Sequence, residues 1–95
     1  MHIISRKALR DFWERYPNAE TPLLRWYQIV RETNFESFQD LRKTFPSADL
    51  VGQLVVFNIG GNNYRLIASI HFNRHKLYIR HVLTHTEYDR GAWKE

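Results

Sequence analysis

Apolar residues recur at helical spacing through the first half of the chain and alternate with polar ones in the second half. The opening "HIIS" is short and apolar, which suits an edge strand. Ser5 then stands where a helix cap belongs, and Leu9, Phe12, Trp13 and Tyr16 follow at i, i+3, i+4 and i+7. That stripe predicts one buried face, with Arg6, Lys7, Arg10 and Arg15 mostly off it and Pro17 and Asn18 ending it. A second helix is predicted from Thr21 as cap and Pro22 at its first position, with Leu23, Trp26, Tyr27 and Val30 facing inward. "SFQDLRKTFP" predicts a short third helix, capped by Ser37 and stopped ahead of Pro46.

The pattern changes after "SADLVGQ". "LVVFNI" (54–59), "YRLIASIHF" (64–72) and "LYIRHVL" (77–83) are rich in β-branched and aromatic residues. "GGNN" and "NRHK" separate them as short turns, so three antiparallel strands in a meander are expected. Helices followed by strands predict an α+β fold, with the N-terminal helices on one face of a small antiparallel sheet. If both turns are four-residue loops, Ile59 pairs with Tyr64, Asn58 with Arg65, Phe72 with Leu77, Ile70 with Ile79, Ala68 with His81 and Arg65 with Thr84. Side chains alternate across a sheet, so Phe57, Leu66, Ala68, Ile70, Leu77 and Ile79 share the face that meets the helices. The other face then carries Asn58, Arg65, Ser69, His71, Tyr78 and Arg80 beside Val56, Ile67 and Val82.

Ninety-five residues suffice for one compact domain, expected over residues 1–95. Apolar residues make up 43% and aromatics 15%, enough for a core that rules out a disordered chain. Cysteine is absent, which excludes disulfides and thiolate metal sites and suits a reducing compartment. "MHIISRKALRDFWERY" turns charged too early for a secretory leader, and no apolar run approaches a membrane span, so a cytoplasmic location is expected. The formal charge is +4, and ten of the fourteen cations are arginine. Arginine's planar fork of donors matches phosphate oxygens, which turns attention to phosphate-bearing partners. A merely solvated basic surface remains the alternative on charge alone.

Chemistry concentrates in "HVLTHTEYDRGAW" (81–93). Thr84 and Glu87 form a T-x-x-E capping box, which predicts a helix from His85 through "TEYDRGAW". His85 and Tyr88 then lie three residues apart on one side of it. The exposed N–H groups and dipole of such a terminus attract phosphate. The pairing above brings Arg65 beside Thr84, so a cation, an imidazole and a phenol converge. Those groups can cut RNA without a metal: a 2′-hydroxyl must lose a proton, a phosphorane must have its charge matched, and a leaving oxygen must gain a proton. Arg65 is assigned charge stabilisation, His85 proton transfer, and Tyr88 base stacking or orientation. A histidine behind a helix cap is, by itself, more often an ordinary surface residue. The spacings of His71, His75, His81 and His85 fit neither a helical i, i+4 pair nor a zinc ribbon, so no metal or other cofactor is expected. His75 is read as a turn residue and His81 as partly buried near the helices.

At these residues the chain resembles a known family. Phe57, Asn58, Ile59, Gly61, Asn62, Tyr64 and Arg65, followed by Ile79, Arg80, Val82, Thr84, His85, Glu87, Tyr88 and Asp89, resemble the HigB-type branch of the RelE superfamily of toxin–antitoxin systems. "MHIISRKALRDFWERYP" and "FPSAD" resemble it too, so the likeness covers nearly the whole chain. The resemblance implies helices packed on a small antiparallel sheet, and a metal-independent mRNA interferase that cuts message on the translating ribosome. It also implies a cognate antitoxin, commonly a HigA-like helix-turn-helix protein, whose complex with the toxin binds operator DNA. Arg65 falls at the family's phosphate-contacting arginine, and His85 where relatives place an arginine or histidine. Tyr88 lies near their terminal aromatic.

The sequence departs from RelE-type members at Val56 and Asn58, which occupy the positions of two strand lysines that act as base and phosphate contact. Either His85 or another histidine then supplies the base, or the protein cuts more slowly or by a different arrangement. His71 is the next candidate, and Arg80, with Asn58 and Thr84, completes the expected RNA-contacting set. The rival readings are a ParE-like toxin that inhibits gyrase by binding, and a phosphate-contacting RNA-binding module without nuclease activity. Similar scaffolds host all of these.

Overall fold

The stripes of the first half and the strands of the second meet in one α+β core, seen in a computed structural model that describes residues 1–94. In chain order it comprises β1 (His2–Ile4), α1 (Arg6–Arg15), α2 (Glu20–Glu32), α3 (Phe38–Thr44), β2 (Asp49–Val51), β3 (Leu54–Ile59), β4 (Tyr64–His71), β5 (Lys76–Thr84) and α4 (His85–Arg90). The five strands form one sheet in the order β1-β5-β4-β3-β2. The three-strand meander expected from the sequence is its centre.

Two features of the sheet go beyond that expectation. β1 pairs with β5 in parallel, from His2↔Lys76 to Ile4↔Tyr78, so the sheet is mixed rather than antiparallel throughout. β2 is an additional edge strand. Val51 pairs directly with Leu54, leaving Gly52 and Gln53 as a two-residue hairpin loop with Gly52 at φ +62°. "VGQL" carried that signal, since a glycine in a two-residue loop is a hairpin mark.

The helices form as their stripes predict, with two differences at their starts. Ser5 has cap geometry at α1 but its side chain makes no capping hydrogen bond. α2 begins at Glu20 rather than after Thr21, because a 3-10 turn over Pro17–Ala19 runs straight into it. At α3 the expected cap is present, with Ser37 Oγ accepting from the Asp40 N–H at 3.1 Å.

One face of the sheet meets α1–α3. Leu9, Phe12, Leu23, Trp26, Val30, Phe35 and Leu41 pack there against Val55, Phe57, Leu66, Ala68 and Leu77. Phe57 is its aromatic centre, edge-on to Trp26 at 5.4 Å and to Phe45 at 5.1 Å. A second, smaller apolar cluster lies on the opposite face: Val56, Ile67 and Trp93, with Val51, Leu54, Leu83 and Tyr88 against them.

The β3–β4 register is as expected, with Ile59↔Tyr64 and Asn58↔Arg65. The β4–β5 register is not. Phe72–Arg74 forms a 3-10 turn and His75 takes the left-handed conformation at φ 55°, so the loop closes one residue earlier on each side. Ile70 therefore pairs with Leu77 rather than Ile79, and Ala68 with Ile79 rather than His81. A bulge then falls between the Ala68↔Ile79 and Ile67↔His81 pairs, leaving Arg80 without a partner on β4. Beyond it the alternation on β5 is reversed. Val82 joins the helix-side core instead of the polar face, while His81 and Leu83 come to the face of Arg65. His81 is thus exposed, not partly buried beneath the helices.

Because Phe57 joins the aromatic groups of α2 and the segment after α3, Phe57→Ala should lower the free energy of unfolding by about 3–5 kcal/mol. Leu50, 49% exposed on the edge strand, offers the contrast: Leu50→Ser should change it by less than about 0.5 kcal/mol. Urea denaturation followed by far-UV circular dichroism measures both.

Candidate active site

β5 passes into α4 at Thr84, and the local chemistry fixes that junction. Thr84 Oγ1 accepts from the Glu87 N–H at 3.2 Å, while Glu87 Oε1 accepts from the Thr84 N–H at 2.9 Å and its hydroxyl at 3.1 Å. This is the capping box that the sequence predicts. The His85 N–H donates to the Asn63 carbonyl at 3.0 Å, tying the first residue of α4 to the β3–β4 turn. The N–H groups of His85 and Glu87 are thus already engaged, and the Glu87 carboxylate sits at the same terminus. The terminus is accordingly a poorer anion site than the sequence alone suggests, and attraction for phosphate falls to Arg65.

Arg65 is 9% exposed, yet it pairs with no carboxylate among the described residues. Its Nη1 donates to the carbonyls of Asn62 and Tyr64, each at 3.1 Å. The guanidinium carbon lies 5.2 Å from the centre of the Tyr88 ring, a cation–π distance. Carbonyls and a π face orient the cation without neutralising it, so its formal charge is available to an anion.

Tyr88 is held in turn by Trp93. The two rings stack at 5.1 Å with planes 13° apart, and Trp93 Nε1 donates to the Tyr88 carbonyl at 3.0 Å. The helix does not run on through "GAW" as the sequence suggests: Gly91, left-handed at φ 75°, ends α4 at Arg90 and turns the chain so that Trp93 lands on Val56 and Ile67. Trp93 was not among the residues singled out from the sequence. Its signal was there: an aromatic two residues beyond a glycine that stops a helix.

His85 is exposed, one turn before Tyr88, with Nε2 3.2 Å from Asp89 Oδ2. Thr84 pairs with Tyr64 rather than with Arg65, whose own partner is Leu83. The displacement is one residue, so Arg65, Thr84, His85 and Tyr88 still gather at the same end of the β4–β5 pair. Asn58 lies directly across β3 from Arg65.

The remaining candidates lie elsewhere. His71 pairs with Lys76 at the far end of the hairpin and packs edge-on to Tyr78 at 5.4 Å. Six residues of strand separate it from Arg65, about 20 Å at the usual rise, so one linkage cannot touch both. Arg80 does not share the face of Arg65. As the bulge residue it lines a groove with Ala8, Asp11, Phe12 and Arg15. His81, which the bulge turns to the site face, lines a shallow groove with Leu83, Glu87, Arg90 and Trp93. Among the described residues no three His, Asp or Glu side chains converge as metal ligands, and no helix is long and apolar enough to cross a membrane.

A guanidinium without a described carboxylate partner lies against a phenol, at the same strand–helix end as an imidazole–carboxylate pair, and such a set of groups suits phosphodiester chemistry. Residues 19–91 match the family model of the HigB toxin, the RelE-like toxic component of a toxin-antitoxin system, and the chain belongs to that family. It is 41% identical over 92 residues to an mRNA interferase toxin HigB of Escherichia coli strain K12, covering 94% of this chain and 88% of that protein. It is similar to an mRNA interferase HigB of Shigella flexneri at the same identity and coverage. With an mRNA interferase HigB of Escherichia coli O6:H1 it shares 34% identity over 93 residues, 95% of this chain and 90% of that protein.

Loss of the cap should loosen the junction that carries the site. Thr84→Ala should cost about 0.5–2 kcal/mol of stability, read by denaturant titration. It should also speed exchange of the Glu87 amide hydrogen, which loses its acceptor.

Proposed function

We propose that this chain, acting over residues 1–95 as one toxin domain, is a metal-independent mRNA interferase. The observation that carries the reading is Arg65: a cation held in place by carbonyls and an aromatic ring, uncompensated by any described carboxylate, whose ring partner Tyr88 lies one turn along α4 from His85. In the proposed reaction the scissile phosphate sits against the Arg65 guanidinium. His85 faces Asp89 through Nε2, which leaves Nδ1 to take the proton of the 2′-hydroxyl. The 2′-oxygen attacks phosphorus, and Arg65 stabilises the charge that builds on the phosphorane oxygens. The bond to the 5′-oxygen then breaks, and the leaving oxygen takes a proton from water at this exposed face. A 2′,3′-cyclic phosphate and a 5′-hydroxyl result.

Tyr88 orients Arg65 in this scheme. With a guanidinium over its ring and an indole stacked on it, the ring has little free surface for a nucleobase. Thr84 supports His85 through the cap, and Asn58 flanks Arg65 from β3. Val56 is buried under Trp93 and offers no charge, consistent with His85 acting as the base. The toxin is cytoplasmic in this reading, meets its message on the ribosome, and is neutralised by a HigA-like helix-turn-helix antitoxin through which it also reaches operator DNA.

The test compares wild type, Arg65→Ala and His85→Ala induced in bacteria, with transcript 5′ ends mapped. Wild type should create new ends. Arg65→Ala should reduce cleavage by on the order of 10²–10³-fold, and His85→Ala by about 10²–10⁴-fold. Growth arrest without new ends would replace the nuclease by a gyrase-directed toxin, and undiminished cutting by His85→Ala would remove that residue's role. RNA binding should weaken as salt rises, and Arg65→Ala should make the slope of log K against log salt shallower by about one.

A further inference from the structure

We infer that Trp93 is a positioning residue for RNA cleavage, setting the Tyr88 ring that in turn holds the Arg65 guanidinium; the inference rests on the cleavage reading above. Three observations converge on it. The indole is 5% exposed although it lies past the last α-helix, so the turn Ala92–Lys94 is anchored to the sheet. It rests on Val56 and Ile67, buried side chains of β3 and β4, which ties its position to the interior of the sheet. And it engages Tyr88 twice, through the ring stack at 5.1 Å and through the hydrogen bond from Nε1 to the Tyr88 carbonyl at 3.0 Å.

The consequence follows from geometry. α4 has only six residues and a short helix is not rigid by itself. Its capping box fixes the start at Thr84 but leaves the ring of Tyr88 free to turn about its own side-chain bonds. The indole face removes that freedom. Tyr88 then presents its π surface to Arg65, and the guanidinium is kept between that surface and the carbonyls of Asn62 and Tyr64. Positional errors of about an ångström at a charge-stabilising group are costly to turnover, so a residue that never touches RNA governs rate from behind.

The experiment uses Trp93→Leu and Trp93→Phe in the full chain, with Tyr88→Ala and the Tyr88→Ala/Trp93→Leu double variant, on a message bound to translating ribosomes. Leucine covers Val56 and Ile67 but has no ring, whereas phenylalanine keeps a stacking face. Trp93→Leu should lower kcat by on the order of tenfold or more with little change in KM, and Trp93→Phe should restore most of it. In the Tyr88→Ala background Trp93→Leu should have no further effect, since its path to the reaction is gone. Equal activity of the Leu and Phe variants, or an undiminished effect of Trp93→Leu without Tyr88, would overturn the inference. Tyr88→Ala cutting like wild type would instead remove the role of Tyr88 itself. Thermal unfolding of each variant separates lost folding from lost turnover: unfolded Trp93→Phe would show that the indole serves the fold and not the site.

Discussion

An arginine 9% exposed, without a carboxylate partner among the described residues, is costly to bury, and most of the site exists to hold it. An acid beside Arg65 would stabilise the fold and cancel the charge that an incoming phosphate needs. Two carbonyl oxygens and a π face partly offset the desolvation and leave the charge uncancelled. These partners come from the β3–β4 turn, the start of β4 and α4. The turn bends sharply because Gly60 and Gly61 both take positive φ, at 61° and 68°. The Asn63–His85 hydrogen bond then joins that turn to α4, so each holder of Arg65 is itself held.

The second constraint is the bulge at Arg80. A regular β5 would put alternate residues on one face along its whole length. With one residue inserted, Leu77 and Ile79 face the helices ahead of the bulge and Val82 faces them beyond it. Leu83 is thereby sent to the opposite face, where it joins the small apolar cluster under Trp93. The strand serves two cores, and the same insertion sets the phase with which the chain enters the cap at Thr84. It also displaces Arg80 from the phosphate-facing surface to a groove along α1.

The elements were legible where local chemistry is strong. The stripes of α1 and α2, the Ser37 cap, the Thr84–Glu87 box and the β3–β4 pairing all follow from spacing and turn residues. The likeness around Arg65 and His85 pointed to the family to which the chain belongs. What escaped depends on contacts distant in sequence or on one residue of phase. The Phe72–His75 loop and the bulge shift β5, and nothing in "LYIRHVL" marks a bulge, since either phase places an apolar residue against the helices. That slip misplaced His81, Val82 and Arg80 together. Parallel pairing of β1 could not be read either, because "HII" gives no direction. Trp93 was passed over because stacking on Tyr88 requires knowing where Gly91 sends the chain.

The apolar cover on both faces also limits what the site can read. Val56, Ile67, Leu54 and Leu83 occupy the centre of the solvent-side face beneath Tyr88 and Trp93, so polar chemistry is confined to one end of the β4–β5 pair and to α4. His71, the one other histidine expected to help, lies at the opposite end of the hairpin. A patch this narrow can grip one linkage and its immediate neighbours, and its charge term is indifferent to base identity. Discrimination among messages, in an interferase of this design, therefore has to come from the few side chains bordering Tyr88 and from whatever presents the strand. A message held rigidly by a larger assembly also arrives with its conformational entropy already lost. That compensates for a site with one buried cation where a free RNA would need several contacts, so a rigidly presented strand suits the proposed reaction better than a free one.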